Sequence, residues 1–81
     1  MMTALYDRAR RAYESHCTRN GLVYQEPADG VDVDGFYLLS NRNGVLHAFK
    51  LSQGRLRTVD VDSVPKATLK RAGHAQEGTG R

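Results

Sequence analysis

The sequence predicts an α+β fold: an N-terminal helix packed on a three- to four-stranded antiparallel β-meander, followed by a short C-terminal helix. Three observations predict it. Apolar side chains recur at helical spacing over residues 3–19. Short strand-like segments follow over residues 36–61, separated by the turn-forming dipeptides Asn43-Gly44 and Gln53-Gly54. Pro65 then begins a last short segment, and proline is favoured at the first position of a helix.

The N-terminal helix is expected to begin after Thr3, whose hydroxyl would cap its first turn. It is expected to end at Asn20-Gly21, because glycine tolerates the left-handed conformation that follows many helices. One face of this helix collects the residues that we expect to be buried against the sheet. They are Leu5, Ala9, Ala12, Tyr13, His16 and Cys17.

The strands are predicted over residues 22–25, 36–41, 45–51 and 55–61. A loop over residues 26–35 separates the first two strands, with a brief extended stretch at residues 31–33. The C-terminal helix is predicted over residues 65–72. Residues 1–72 would then form a single α+β domain, and residues 73–81 a flexible, disordered C-terminal tail, since this stretch has three glycines and one apolar residue.

A two-residue Asn43-Gly44 loop would pair Arg42 with Val45, and therefore Leu38 with Phe49. The more apolar sheet face, expected under the N-terminal helix, would then carry Phe36, Leu38, Ser40, Val45, His47, Phe49 and Leu51. The other face would present an apolar strip with a lysine beside it: Tyr37, Leu39, Leu46, Ala48 and Lys50. Either Val64 and Leu69 cover this strip, or it is an interface with a protein partner or a second copy.

Length and composition exclude several classes of protein. The 81 residues, 40% of them hydrophobic, contain no apolar run near the roughly 18 residues that a membrane span needs. The single cysteine, Cys17, excludes an internal disulfide framework and a multi-thiolate zinc site. With a free thiol and a charged segment near the N-terminus, we expect a cytoplasmic protein with no metal and no small-molecule cofactor.

The charges are sorted into blocks. Residues 21–35 contain four acidic residues and no basic residue, and these define an acidic loop: Glu26, Asp29, Asp32 and Asp34. Their spacing does not match a helix–loop–helix calcium site, which needs a glutamate six residues after its glycine. A solvated loop is the simplest interpretation, and binding to a basic site on a partner is the alternative.

Two clusters of basic residues are candidates for contacts with nucleic acid. Arg8, Arg11 and Arg19 lie on the polar face of the N-terminal helix, and Lys66, Lys70 and Arg71 lie in the C-terminal segment. Asp7 and Glu14 stand among the arginines of the helix and weaken this hypothesis, since they would repel phosphates. A solvated helix face is the competing interpretation.

Extending the predicted register would place Ser40, His47 and Asp60 in one row across three strands, with neighbouring Cβ atoms about 5 Å apart. These are the residue types of a nucleophilic triad. The sequence has no Gly-x-Ser-x-Gly elbow around Ser40 and no evident oxyanion hole. A small hydrolase is therefore the third hypothesis.

Taken together, the sequence predicts a non-enzymatic binding module that acts through protein–protein interaction, as a small regulator, adaptor or inhibitor, and that self-associates or binds a protein partner. A nucleic-acid-binding accessory protein that uses the basic helix face is the alternative. No membrane partner is expected.

Overall fold

A helix, a four-stranded antiparallel sheet and a second, short helix follow one another along residues 4–73, the part of the chain that the computed structural model describes. Helix α1 spans Ala4–Asn20 and helix α2 spans Lys66–Arg71. The sheet is a meander of order β1-β2-β3-β4. Its strands are β1 (Asp29–Val33), β2 (Phe36–Asn41), β3 (Gly44–Ser52) and β4 (Arg55–Val59), and a 3-10 turn at Val61–Ser63 leads to α2. The predicted α+β fold is confirmed.

Helix α1 packs on the sheet through the face that the spacing predicts. Ala9, Tyr13 and Cys17 are buried, and so is Tyr6, which the spacing argument had left out. The helix ends as expected at Gly21, whose φ is +66°, and the amide of Leu22 donates to the carbonyl of Cys17 at 2.9 Å. The proposed cap, Thr3, lies outside the described residues, as does the predicted tail from residue 74 onward.

The prediction of a strand over residues 22–25 is wrong. This segment makes no ladder and runs beside α1, where the Tyr6 hydroxyl donates to the carbonyl of Pro27 at 3.0 Å and the Gln25 amide donates to the Tyr13 hydroxyl at 3.3 Å. The first strand is β1, which includes half of the segment expected to be loop and begins two residues before the predicted extended stretch at residues 31–33. Asp34-Gly35 joins it to β2 with φ values of +53° and +81°, as a type I′ turn requires.

The predicted register between β2 and β3 is wrong, by two residues next to the turn and by one residue over residues 36–39. Asn41 pairs with Gly44, so the loop consists of Arg42 and Asn43, and the ladder shifts at Leu39/Ser40. The Asn43 amide donates to the Asn41 side-chain oxygen at 2.8 Å, and this local hydrogen bond stabilises the turn one residue early. The irregularity at Leu39/Ser40 then offsets the ladder by one residue, so that Leu38 pairs with Ala48 instead of Phe49. A shift of one residue exchanges which side chains of the two strands share a face.

Both faces of the sheet are covered, each by a different layer. On the first face, Tyr37, Leu39 and Phe49 pack against the buried side of α1. On the second face, Leu38 and Ala48 pack against Val64, with Leu69 and Ala72 of the C-terminal segment beside them. This three-layer arrangement explains why neither face of the hairpin has a cleanly polar pattern. In the described part of the chain, no helix is long and apolar enough to cross a membrane.

Candidate functional site

The predicted interface strip does not form a surface. Tyr37 and Leu39 are 4% and 0% exposed beneath α1, whereas Ala48, 0% exposed, lies on the opposite face beneath Val64. Leu46 is half-buried, and Lys50 alone is exposed. The register error explains this correction, because the correct pairing puts Tyr37 and Ala48 on opposite faces.

The predicted row of Ser40, His47 and Asp60 is also wrong. Ser40 pairs with Val45, and β4 ends at Val59, so the β3–β4 ladder stops before Asp60. No hydrogen bond joins these three side chains within residues 4–73. The His47 Nε2 atom instead lies 3.2 Å from the Thr58 hydroxyl.

His47 belongs to an aromatic cluster between α1 and the sheet. Its ring centroid lies 4.8 Å from those of His16 and Phe49 and 5.2 Å from that of Tyr13. Burial, and secondarily the nearby His16, lower the pKa of His47 from 6.5 to about 4. His47 is therefore neutral near pH 7, where it packs with these rings and shares a hydrogen bond with Thr58.

The acidic residues of 26–35 do not converge. Asp29 and Asp32 lie on opposite faces of β1, because they are three residues apart on a strand. Glu26 lies before the strand, where it accepts a hydrogen bond from the Tyr24 hydroxyl at 3.0 Å. Among the described residues, no group of three or more His, Cys, Asp or Glu side chains is arranged to hold a metal ion. The extended backbone of β1 separates these carboxylates.

Asp34 anchors the C-terminal helix. Its carboxylate accepts hydrogen bonds from the Thr68 hydroxyl at 2.9 Å and from Arg71, whose Nε lies at 2.8 Å and whose Nη2 also donates. The Arg71 guanidinium, and then Thr68, lower the pKa of the Asp34 carboxyl. Arg71, one of the predicted nucleic-acid contacts, is thereby engaged within the protein.

The other predicted basic residues are exposed but lie on two separated surfaces. Arg11 and Arg19 are on the outer side of α1 with Glu14 between them, while Lys66 and Lys70 are on α2. The two helices cover opposite faces of the sheet, so these clusters cannot form one footprint. Arg8 donates to the carbonyl of Gly54 at the tip of the β3–β4 hairpin, which places one helix cation at that end of the sheet.

A third set of cations lies at the same end, on the second sheet face, where Lys50, Arg55 and Arg57 are exposed. Lys50 pairs directly with Arg57, and Ser52 with Arg55. Because side chains alternate along a strand, Arg55 and Arg57 share the face of Val59, which belongs to the second core cluster. The Lys50 ammonium lies 4.7 Å from the ring centroid of Phe36. We call this surface the basic corner: Phe36, Lys50, Arg55 and Arg57.

The charges of the basic corner have no counter-ion among the residues that the structure describes. In residues 4–73 the ion pairs are Arg10–Glu14 and Arg71–Asp34, and none involves Lys50, Arg55 or Arg57. Asp34 sits in the adjacent turn, and its charge is already paired with Arg71. Like charges directly opposite in a ladder destabilise a sheet. An external anion bound beside Lys50 and Arg57 would reduce their repulsion.

The basic corner is only partly predictable from the sequence. The Gln53-Gly54 loop, correctly predicted, already places Lys50 opposite Arg57. What it could not indicate is that both share a face with the half-buried Phe36, because that depends on the β2–β3 register. The sequence matches no protein-family model, and the chain has no significant match among curated proteins or solved structures.

Proposed function

We propose that the protein is a nucleic-acid-binding module that contacts phosphates through the basic corner. The observation that carries this proposal is the direct pairing of Lys50 with Arg57, both exposed and neither in an ion pair with another described residue. Phosphate contacts by lysine and arginine supply most of the affinity of nonspecific nucleic-acid binding.

The distribution of charge supports a defined binding side. Acidic residues Asp29 and Asp32 lie on β1, at one edge of the sheet, and Arg55 and Arg57 lie on β4, at the other edge. Such a charge separation orients a polyanion toward the β4 side and away from β1. Cations on an edge strand also discourage pairing between sheets, and this effect requires no ligand. A binding measurement distinguishes the two explanations.

The test is fluorescence anisotropy of a labelled oligonucleotide at several salt concentrations between about 50 and 200 mM, over which phosphate-driven binding weakens steeply. We expect Lys50→Gln and Arg57→Gln each to weaken binding and to reduce the slope of log affinity against log salt by about one unit. Arg42→Gln is the matched control, because Arg42 is exposed in the β2–β3 loop, at the opposite end of the sheet.

Two results would overturn the proposal. One is the absence of binding at the lowest salt concentration. The other is unchanged binding in a folded Lys50→Gln, Arg57→Gln double variant. If Arg11→Gln weakened binding while the double variant did not, the outer face of α1 would be the binding surface instead.

A protein contact at Leu22 and Val23 is a second candidate function. These large apolar side chains are 55% and 83% exposed, adjacent, and carried on a segment that pairs with no strand. Exposed apolar groups that lie together are typical of association surfaces. A Val23→Ser variant that retained its thermal stability but lost co-purification of a specific protein from host extract would support it. Unchanged co-purification would contradict it.

A further inference from the structure

We infer that the nucleic acid bound at the basic corner is single-stranded, with a base stacked on Phe36 and the next two phosphates of the strand on Lys50 and Arg57. This inference rests on the proposed function and specifies its ligand. It depends on the order of these three side chains across the sheet and on the shape of the surface that carries them.

The three side chains form one row across three strands. Phe36 of β2 pairs with Lys50 of β3, and Lys50 pairs with Arg57 of β4. Neighbouring strands lie about 4.8 Å apart, so the backbones that carry the row span about 10 Å from β2 to β4. An aromatic face followed by two cations can hold one base and the two phosphates on one side of it.

Phe36 is more accessible for stacking than the other aromatic side chains of β2 and β3. Its ring is half-buried, whereas Tyr37 and Phe49 are 4% and 1% exposed beneath α1. The Phe36 ring packs against the second core cluster, and the Lys50 ammonium, at the end of a flexible chain, lies 4.7 Å from the ring centroid. When Lys50 turns toward a phosphate, the ring face is freed for a base. Every base has such a π-face, so this contact does not depend on sequence.

The shape of the surface disfavours reading of a duplex. A two-stranded ribbon can enter a major groove, but the β3–β4 hairpin is not a free ribbon. Strand β3 is paired with β2 on its other side, Leu51 and Leu56 pack in the α1 core cluster, and Arg8 of α1 holds the hairpin tip through Gly54. A duplex could therefore touch the corner only through its phosphates.

The test compares three probes of equal length and label: a single-stranded oligothymidylate, the same oligonucleotide in duplex form, and an abasic strand that keeps sugars and phosphates only. We expect the single strand to bind most tightly. The Phe36→Leu variant should lose about tenfold or more in affinity for oligothymidylate, the loss typical of one stacked base, and should bind the abasic probe as the parent does.

Leucine at position 36 preserves an apolar contact with the second core cluster, and a thermal melt of the variant checks that it is folded. Phe36→Tyr keeps a ring and is expected to retain the preference for single strands. Equal affinity for single strand and duplex, or an unchanged preference in folded Phe36→Leu, would overturn this inference while leaving the proposed function intact. Failure of all three probes to bind would overturn the proposed function itself.

Discussion

Lys50 and Arg57 stand directly opposite each other on the β3–β4 ladder, and both are exposed on the second sheet face. Two positive charges in this position lower the stability of the isolated protein and favour a bound anion. The same pair therefore connects stability with binding, and a substitution there is expected to move the two properties in opposite directions.

Arg57→Glu is expected to stabilise the protein and abolish binding. The change replaces a repulsive cross-strand pair with an attractive one, and cross-strand pairs of this kind contribute about 0.2–1 kcal/mol to the free energy of unfolding. A thermal melt at low salt should show the higher Tm, and the gain should shrink as salt is added. An unchanged or lower Tm would mean that Lys50 and Arg57 do not repel each other across the ladder.

His47 is expected to make the protein acid-sensitive between pH 6.5 and about 4. Its pKa is lowered to about 4 in the folded chain, so the unfolded chain binds the proton first as pH falls below 6.5. The stability that the neutral imidazole contributes is complete above pH 6.5 and is lost progressively as pH falls toward 4, by at most about 1.4 kcal/mol per pH unit.

His47→Gln should remove most of this pH dependence, because glutamine keeps a hydrogen-bonding group near Thr58 and does not titrate. Urea titrations at pH 7 and pH 5 provide the measurement. His16→Gln is the comparison: His16 adds a smaller repulsive effect, so this variant should keep most of the dependence. If the free energy of unfolding changed equally between pH 7 and pH 5 in the parent and in His47→Gln, His47 would not be the source of the acid sensitivity.

Gly30 is expected to be intolerant of any side chain. A Cβ at this position would collide with the hydroxyl oxygen and ring of Tyr37, which lies beneath α1. Overpacking of this kind costs typically about 1–3 kcal/mol, so Gly30→Ala should lower the free energy of unfolding by that order. Tyr37→Phe removes the atom in closest contact, and the double variant should therefore recover part of the loss. Equal and additive losses would show that the two residues do not compete for space.

Asp34 is expected to hold helix α2 on the sheet. Asp34→Asn keeps a residue that tolerates the φ of +53° but removes the charge that Arg71 and Thr68 bind. Amide exchange in α2 should become faster and Tm should fall. Because the pKa of Asp34 is lowered, its stabilising effect is present at neutral pH and is lost as pH falls below its usual value of 3.8. Asp32→Asn is the control, because Asp32 is an exposed neighbour on β1. An equal change in Tm and in α2 amide exchange from this variant would show that Asp34 does not specifically anchor the helix.

The sequence by itself determined the elements whose causes are local. Helix α1, its end at Gly21 and the Gln53-Gly54 turn follow from 3.6-residue periodicity and from the positive φ values that glycine tolerates, and all three were predictable. Asp34-Gly35 is a hairpin dipeptide of the same kind, but Pro27, Gly30 and Gly35 together favour a loop over this segment. The sequence therefore predicts only residues 31–33 of β1 as extended.

Only the tertiary structure decided which residues share a surface. The β2–β3 register depends on the turn at Arg42 and Asn43, where the Asn43 amide donates to Asn41, and on the irregularity at Leu39/Ser40. The turn displaces the pairing by two residues and keeps the faces, so it is the one-residue shift at Leu39/Ser40 that moves Tyr37 and Leu39 from the predicted interface into the core. The hydrophobic periodicity of the sequence could not identify this register, because layers on both sides of the sheet make both faces of the hairpin apolar. The basic corner is a product of that register, since it aligns Phe36 with Lys50 and Arg57.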